Sequence, residues 1–223
     1  KWVLAEGSDT SGMTRSIPIQ KILDDCLIAW AMNGEALRPE QGYPARLVVP
    51  GWEGNMWVKW IRRLEFGDKP YMTREETSKY TDLLTDGKAR MFTWVMEAKS
   101  VVTSPSPEKP ILHKGIQQLR GLAWSGKGKI KRVDVSLDGG KNWRTAQLHA
   151  PIMSKSLVRF TLPFEWSGEE LLIQSRAIDE TGYVQPYIQE LQKIRGKNSI
   201  YHNNSIATWL VSKSGRVDNV RLG

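Results

Sequence analysis

Short apolar runs, rather than long helical periods, set the texture of this chain. WVLAE near the start, ARLVV from Ala45 to Val49, and MWVKWI from Met56 to Ile61 read as strands. Asn33-Gly34 and Pro50-Gly51 are turn dipeptides that punctuate them. Between these runs, SIPIQKILD offers Ser16 as an N-cap with Pro18 early in a short helix. DDCLIAWAMNG then returns to extended structure. Thr73 followed by Glu76 is a capping-box pattern that opens a second short helix, TREETSKYTDLL, within a connecting segment.

The proline-rich stretch Ser104 to Pro110 forbids a continuous ladder and marks a linker or strand edge. Beyond it the pattern is all-β. Val133, Val135 and Leu137 alternate with Arg132, Asp134 and Ser136, as on a half-buried strand. Asp138-Gly139-Gly140 then supplies residues suited to the positive φ of a tight turn. Several such strands at regular spacing predict an immunoglobulin-like sandwich. The pattern predicts three segments: residues 1–96, residues 97–196, and a polar C-terminal extension, 197–223, broken only by IATWLV. The fold class expected is mainly β, with a mixed α+β first part.

Composition narrows the function classes. No apolar run approaches the roughly 20 residues of a membrane helix, and no basic-then-apolar leader opens the chain. The opening KWVLAEGSD reads as a mature product or a fragment. The formal charge is +8, but the basic residues are scattered. Their densest groups are Arg62-Arg63 and Lys127, Lys129, Lys131 and Arg132. That distribution favours small anions or an acidic protein over nucleic acid. Cys26 is the single cysteine, so no internal disulfide or cysteine-based zinc site forms; in its apolar segment it reads as a small hydrophobe. His113, His149 and His202 lack metal-ligand spacing, and no CxxCH haem-attachment motif is present. Ten tryptophans suggest a carbohydrate-binding sandwich, yet Trp124, Trp143 and Trp166 lie at strand ends or in apolar runs, where core packing accounts for them.

A set of longer strings carries a resemblance. SIP (16–18), AWAMNGEAL (29–37), GYPARLVVPG (42–51), VKW (58–60), LAWSG (122–126), RVDVSLDGGKNW (132–143) and RAIDETGYVQP (176–186) occur in this order. Together they resemble the end of the molybdopterin-binding domain of the sulfite oxidase family, followed by that family's immunoglobulin-like dimerisation domain. MTRSIP, GNMWVKW and the tail YHNNSIATWLV are similar to one branch, the molybdenum subunits of bacterial sulfane dehydrogenases, with bacterial sulfite dehydrogenases as the near alternative.

The resemblance implies an oxidoreductase. Its molybdenum, held on a molybdopterin and one protein cysteine thiolate, passes oxygen to a substrate sulfur. Electrons then leave one at a time, usually to a haem; here that implies a c-type cytochrome partner. It also implies a homodimer, a periplasmic location and, for the sulfane branch, a sulfur-carrier protein as substrate. Sulfur oxyanions call for permanent positive charge, which arginine supplies with forked hydrogen bonds. Arg132 matches the dimerisation-domain arginine that reaches the substrate; a solvated strand arginine is the bland alternative. Lys59 matches a lysine near the cofactor or anion channel, against a stem that merely covers apolar surface. Arg46 would line the same anion side or form a structural ion pair.

Two departures stand out. Met13 replaces a substrate-contacting tyrosine, and Met56 replaces an arginine; Arg15 is the candidate to restore the lost charge, making Met13 and Arg15 substrate-binding candidates. The family's molybdenum-ligating cysteine has no counterpart, because Cys26 falls at a different position. By itself the chain is therefore expected to retain no molybdenum and no activity. The rival reading is a non-catalytic dimerisation or partner-binding module.

Overall fold

A computed structural model describes residues 1–199 and 201–222. The chain divides into two compact units. Lys1–Val95 and Arg195–His202 form the first; Met96–Ile194 and Asn203–Gly223 form the second. The expected extension from residue 197 is thus shared between the units.

In the first unit, β1 (Trp2–Gly7) is the centre of an antiparallel sheet, with β2 (Thr14–Pro18) on one side and β7 (Ile61–Gly67) on the other. Between them come α1 (Ile19–Asp25), β3 (Leu27–Ala29), β4 (Ala31–Met32), β5 (Glu35–Ala36) and β6 (Arg46–Val48). The helix α2 (Arg74–Ser78) and the short pair β8 (Asp82–Leu83) and β9 (Ala89–Arg90) follow. Asn33 and Gly34 both take positive φ at the β4–β5 turn, as the dipeptide predicts. Ala5, Ile17, Leu47, Val49, Met56 and Val58 make the core, with Cys26, Trp52, Trp57 and Trp94 packed against it.

Three local expectations need correction. Ser16 caps no helix: it is buried in β2, and the N-cap of α1 is Pro18 without a side-chain hydrogen bond. The second helix is shorter than its pattern, covering Arg74–Ser78, although the Thr73–Glu76 capping box is present. Met56–Ile61 is not a strand. Met56 ends a 3-10 turn (Gly54–Met56), Trp60 has φ 50°, and the ladder begins only at Ile61. Met56 and Val58 are nonetheless buried, so the period-two pattern reports burial along an irregular segment.

The second unit is a two-sheet β-sandwich. One sheet orders β10 (Lys99–Ser104), β11 (Gly115–Trp124), β15 (Val158–Trp166) and β14 (Gln147–His149). The other orders β13 (Arg144–Thr145), β12 (Ile130–Ser136), β16 (Leu171–Asp179), β17 (Thr208–Val211) and β18 (Val217–Val220). The helix α3 (Ile188–Arg195) lies between β16 and β17 in sequence. Leu119, Val133, Phe160, Ile173 and Ala177 are fully buried at its centre, and Trp166 joins them. Gly121 allows this packing: a Cβ there would collide with the Phe160 ring and the Val101 carbonyl oxygen. Gly139 and Gly140 both have positive φ in the β12–β13 turn. Its Asp138 carboxylate accepts from Ser136 Oγ and from the Asn142 amide and side chain at 2.7–2.9 Å.

Candidate functional site

In the first unit the polar features gather around β2, β6 and the turn before β7. Arg15, on β2, is fully buried. Its Nε lies 3.1 Å from Met56 Sδ, and its guanidinium stands 4.4 Å over the Tyr80 ring. Nη1 and Nη2 are buried without a hydrogen-bond partner. Burial pulls the guanidinium below the ordinary arginine range, opposed by the charges of Glu76, Tyr80 and Glu75. The Glu76 carboxylate accepts instead from the Ser16 amide, from Ser16 Oγ at 2.9 Å and from the Thr73 amide at 3.1 Å, and makes no hydrogen bond to Arg15. A buried arginine with two orphaned amino groups is costly unless something supplies acceptors.

Met13, half-buried just before β2, is held through its amide to Asp9 Oδ1 at 2.9 Å. Ser11 Oγ donates to the same carboxylate and, as the largest cause, lowers its pKa. Arg15 and Met56 meet, so the candidate compensating charge touches the position where the family's arginine is replaced.

Lys59 and Arg46 flank Gly42, where a Cβ would approach them at 3.0 and 3.1 Å. Their donors catch a loop. Trp60 Nε1 donates to the Pro39 carbonyl at 2.9 Å, Lys59 Nζ to Glu40 at 2.6 Å, and Arg46 Nη1 to Gln41 at 3.0 Å. Arg46 Nη2 also reaches the Trp57 carbonyl at 3.2 Å, while its Nε is buried and unpartnered. Desolvation lowers the Arg46 pKa. Two consecutive loop carbonyls, of Glu40 and Gln41, thus hold the two side chains that the sequence singled out as anion-lining, and Arg46 forms no ion pair among the described residues.

Arg132 lies on β12 of the second unit, half exposed, with Nε 3.1 Å from Asp134 Oδ1. Its alternation away from buried Val133 and Val135 is as expected. Asp134 shares that face but is buried there, its carboxylate covered by Arg132, Arg176 and Thr145. Among the described residues, no group of three His, Cys, Asp or Glu side chains is placed to hold a metal ion. Cys26 sits at the C-cap of α1 against the first core. No helix among the described residues is long and apolar enough to cross a membrane.

Residues 90–209 match the Mo-co oxidoreductase dimerisation domain, and residues 1–75 match the oxidoreductase molybdopterin binding domain. The chain belongs to the sulfite oxidase family. It is 35% identical over 188 residues to sulfite oxidase of Gallus gallus, covering 77% of this chain and 40% of that protein. With the mitochondrial sulfite oxidase of Homo sapiens it shares 30% identity over 198 residues, 80% of this chain and 36% of the other. The crystal structure of the sulfane dehydrogenase SoxCD from Paracoccus pantotrophus superposes with a TM-score of 0.96 at 61% identity, over 100% of this chain and 58% of that one. The chain therefore spans about two fifths of these sulfite oxidases and somewhat over half of the SoxCD chain. The mainly β fold, with an immunoglobulin-like second unit, is that of the family.

Sequence reasoning missed Tyr80, Glu76 as a buried acceptor, Asp134 and Arg176. The string RVDVS showed the first acid of a pair, but the partner across the sheet is set by register, which no local spacing reveals.

Proposed function

We propose that the chain is the C-terminal part of a molybdenum-dependent sulfur-compound dehydrogenase that oxidises sulfane sulfur or sulfite and passes electrons to a c-type cytochrome. The observation that carries this reading is Arg15: a fully buried guanidinium with both terminal amino groups unpartnered. Such a group fits a small oxyanion, whose oxygens satisfy forked N–H donors without an added protein carboxylate. Likeness to SoxCD along the whole chain supports sulfane sulfur over free sulfite, as does Met13, which offers a soft, polarizable contact instead of a hydrogen-bond donor.

In this reading Arg15 binds the substrate anion, Met13 shapes its pocket, and Arg132 is the second unit's anion-binding residue. Lys59 and Arg46 hold the loop at Pro39–Gln41 and, through it, the anionic cofactor side. The orphaned Arg46 Nε fits an anionic group of a molybdopterin. The cofactor, when bound, supplies the oxygen-transfer and electron chemistry. The thiolate that ligates molybdenum comes from outside these 223 residues, so the chain expressed alone is inactive and metal-free. The complete protein is a periplasmic homodimer joined through the second unit, with a sulfur-carrier protein as the substrate partner. A non-catalytic module is favoured by one observation, the use of Lys59 and Arg46 donors on loop carbonyls.

Arg15 provides the test. In the full-length protein, sulfate should raise the thermal midpoint of the wild type by mass action, and Arg15→Met should abolish that rise. An equal rise in wild type and variant would contradict the assignment of Arg15.

A further inference from the structure

The first unit is completed by a segment far along the chain. Arg195–His202 belongs to this unit, although the residues on either side belong to the second. Arg195 and Asp82 form a buried ion pair, Nη1 to Oδ2 at 3.2 Å, with side chains only 4% and 9% exposed. Gly196 follows with φ 82°, and a Cβ there would collide with the Leu83 carbonyl oxygen. The backbone at 196 is thus pressed against β8. Tyr201 sets its ring 4.9 Å from that of Tyr80, tilted by 54°. Buried His202 places Nδ1 2.6 Å from Glu53 Oε1.

These anchors fall beside the two contacts of Arg15. Tyr80, under the guanidinium, stands two residues before Asp82, and its carbonyl accepts from the Thr93 amide at 3.0 Å. Glu53 is the N-cap of the Gly54–Met56 turn, and its carbonyl accepts from the Met56 amide at 2.9 Å. One segment therefore ties down both the ring and the turn that touch Arg15.

Tyr80 and Met56 treat the guanidinium differently from a carboxylate. An aromatic face attracts a cation through its quadrupole and takes none of its N–H donors, which lie in the guanidinium plane. A thioether sulfur is a weak acceptor and here engages Nε alone. A carboxylate would take two donors at once. The ring and the sulfur thus stabilise the charge while the amino edge stays open. Nη1 and Nη2 on that edge are the atoms left buried and unpartnered.

We propose that Tyr80 is a positioning residue that keeps Arg15 charged with its amino edge open, and that residues 195–202 brace Tyr80 through Tyr201. The proposal rests on the reading of Arg15 as an anion-binding residue and adds Tyr80 and Tyr201 to it.

The test uses the full-length protein, with the sulfate-dependent rise in thermal midpoint as one readout and the steady-state kinetics of the loaded enzyme as the other. Tyr80→Leu removes the π face and should raise KM about five- to thirtyfold, the worth of a desolvated cation–π contact, with kcat changed much less. It should also lose most of the sulfate rise. Tyr80→Phe keeps the face and should restore both. Tyr201→Leu, at a half-exposed position, leaves Tyr80 in place but unbraced and should raise KM about two- to fivefold; it serves also where Tyr80→Leu fails to fold. A merely structural role would lower the midpoint in sulfate-free buffer and leave the sulfate rise and KM unchanged, which overturns the proposal. A sulfate rise lost in Arg15→Met but kept in both Tyr80→Leu and Tyr201→Leu also overturns it and leaves the reading of Arg15 standing. A loss in Tyr80→Leu with none in Tyr201→Leu overturns the brace. A rise retained in Arg15→Met overturns the reading of Arg15 and the proposal with it.

Discussion

Arg15 is where burial and charge conflict most sharply. Replacing a buried, incompletely paired charge with an apolar side chain of similar length is often neutral or stabilising. Arg15→Met should therefore unfold no earlier than wild type in sulfate-free buffer, as measured by thermal denaturation of the full-length protein. A large loss of stability would mean that the Met56 and Tyr80 contacts already satisfy the guanidinium. Asp138 makes a separate pH prediction. Hydrogen bonds, first from the Asn142 amide, lower its pKa from 3.8 to about 2. Its stabilisation is therefore complete above pH 3.8 and disappears as pH falls through about 2. Urea unfolding should show Asp138→Asn destabilised at neutral pH, with the gap to wild type closing between those values. Arg15 was legible only as the compensating charge for Met56; the fold, by joining β2 to the Gly54–Met56 turn, places the two in contact.

Individual strands were legible where alternation coincided with a ladder. Val133 and Val135 are core residues of β12, and Asp138-Gly139-Gly140 makes its turn. Legibility failed at Met56–Trp60, where the same alternation occurs outside any strand, with a backbone hydrogen bond from Leu47 to Val58. Trp60 takes positive φ there and donates its indole N–H to the Pro39 carbonyl, a tertiary contact that overrides β propensity. Ser16 likewise gave up its N-cap role because its amide and hydroxyl serve the Glu76 carboxylate from a different element. Gly121 tests the packing of β11 on β15. Gly121→Ala must displace Phe160 or the β10 backbone and should cost about 1–3 kcal/mol, read as a lowered denaturation midpoint. An unchanged midpoint would show that the Phe160 ring has room to move.

At the scale of the whole chain, the first unit leaves an apolar surface uncovered. Leu23, Leu27, Ile28, Trp30 and Met32 are each at least half exposed on α1, β3 and β4 and the residues beside them. Exposed large apolar side chains in such number favour association. Residues 1–223 expressed alone should sediment as species larger than a dimer, and Leu27→Lys with Trp30→Glu should reduce them. Sedimentation unchanged by both substitutions would assign association to another surface. The proposed dehydrogenase activity is a property of the complete protein. Its most direct test is cytochrome c reduction by the purified, full-length protein, supplied with protein-bound sulfane sulfur or with sulfite, alongside molybdenum analysis of the same sample. Stoichiometric molybdenum is expected, with reduction that depends on the sulfur compound and runs faster with sulfane sulfur. Full molybdenum loading without reduction by either compound would contradict it.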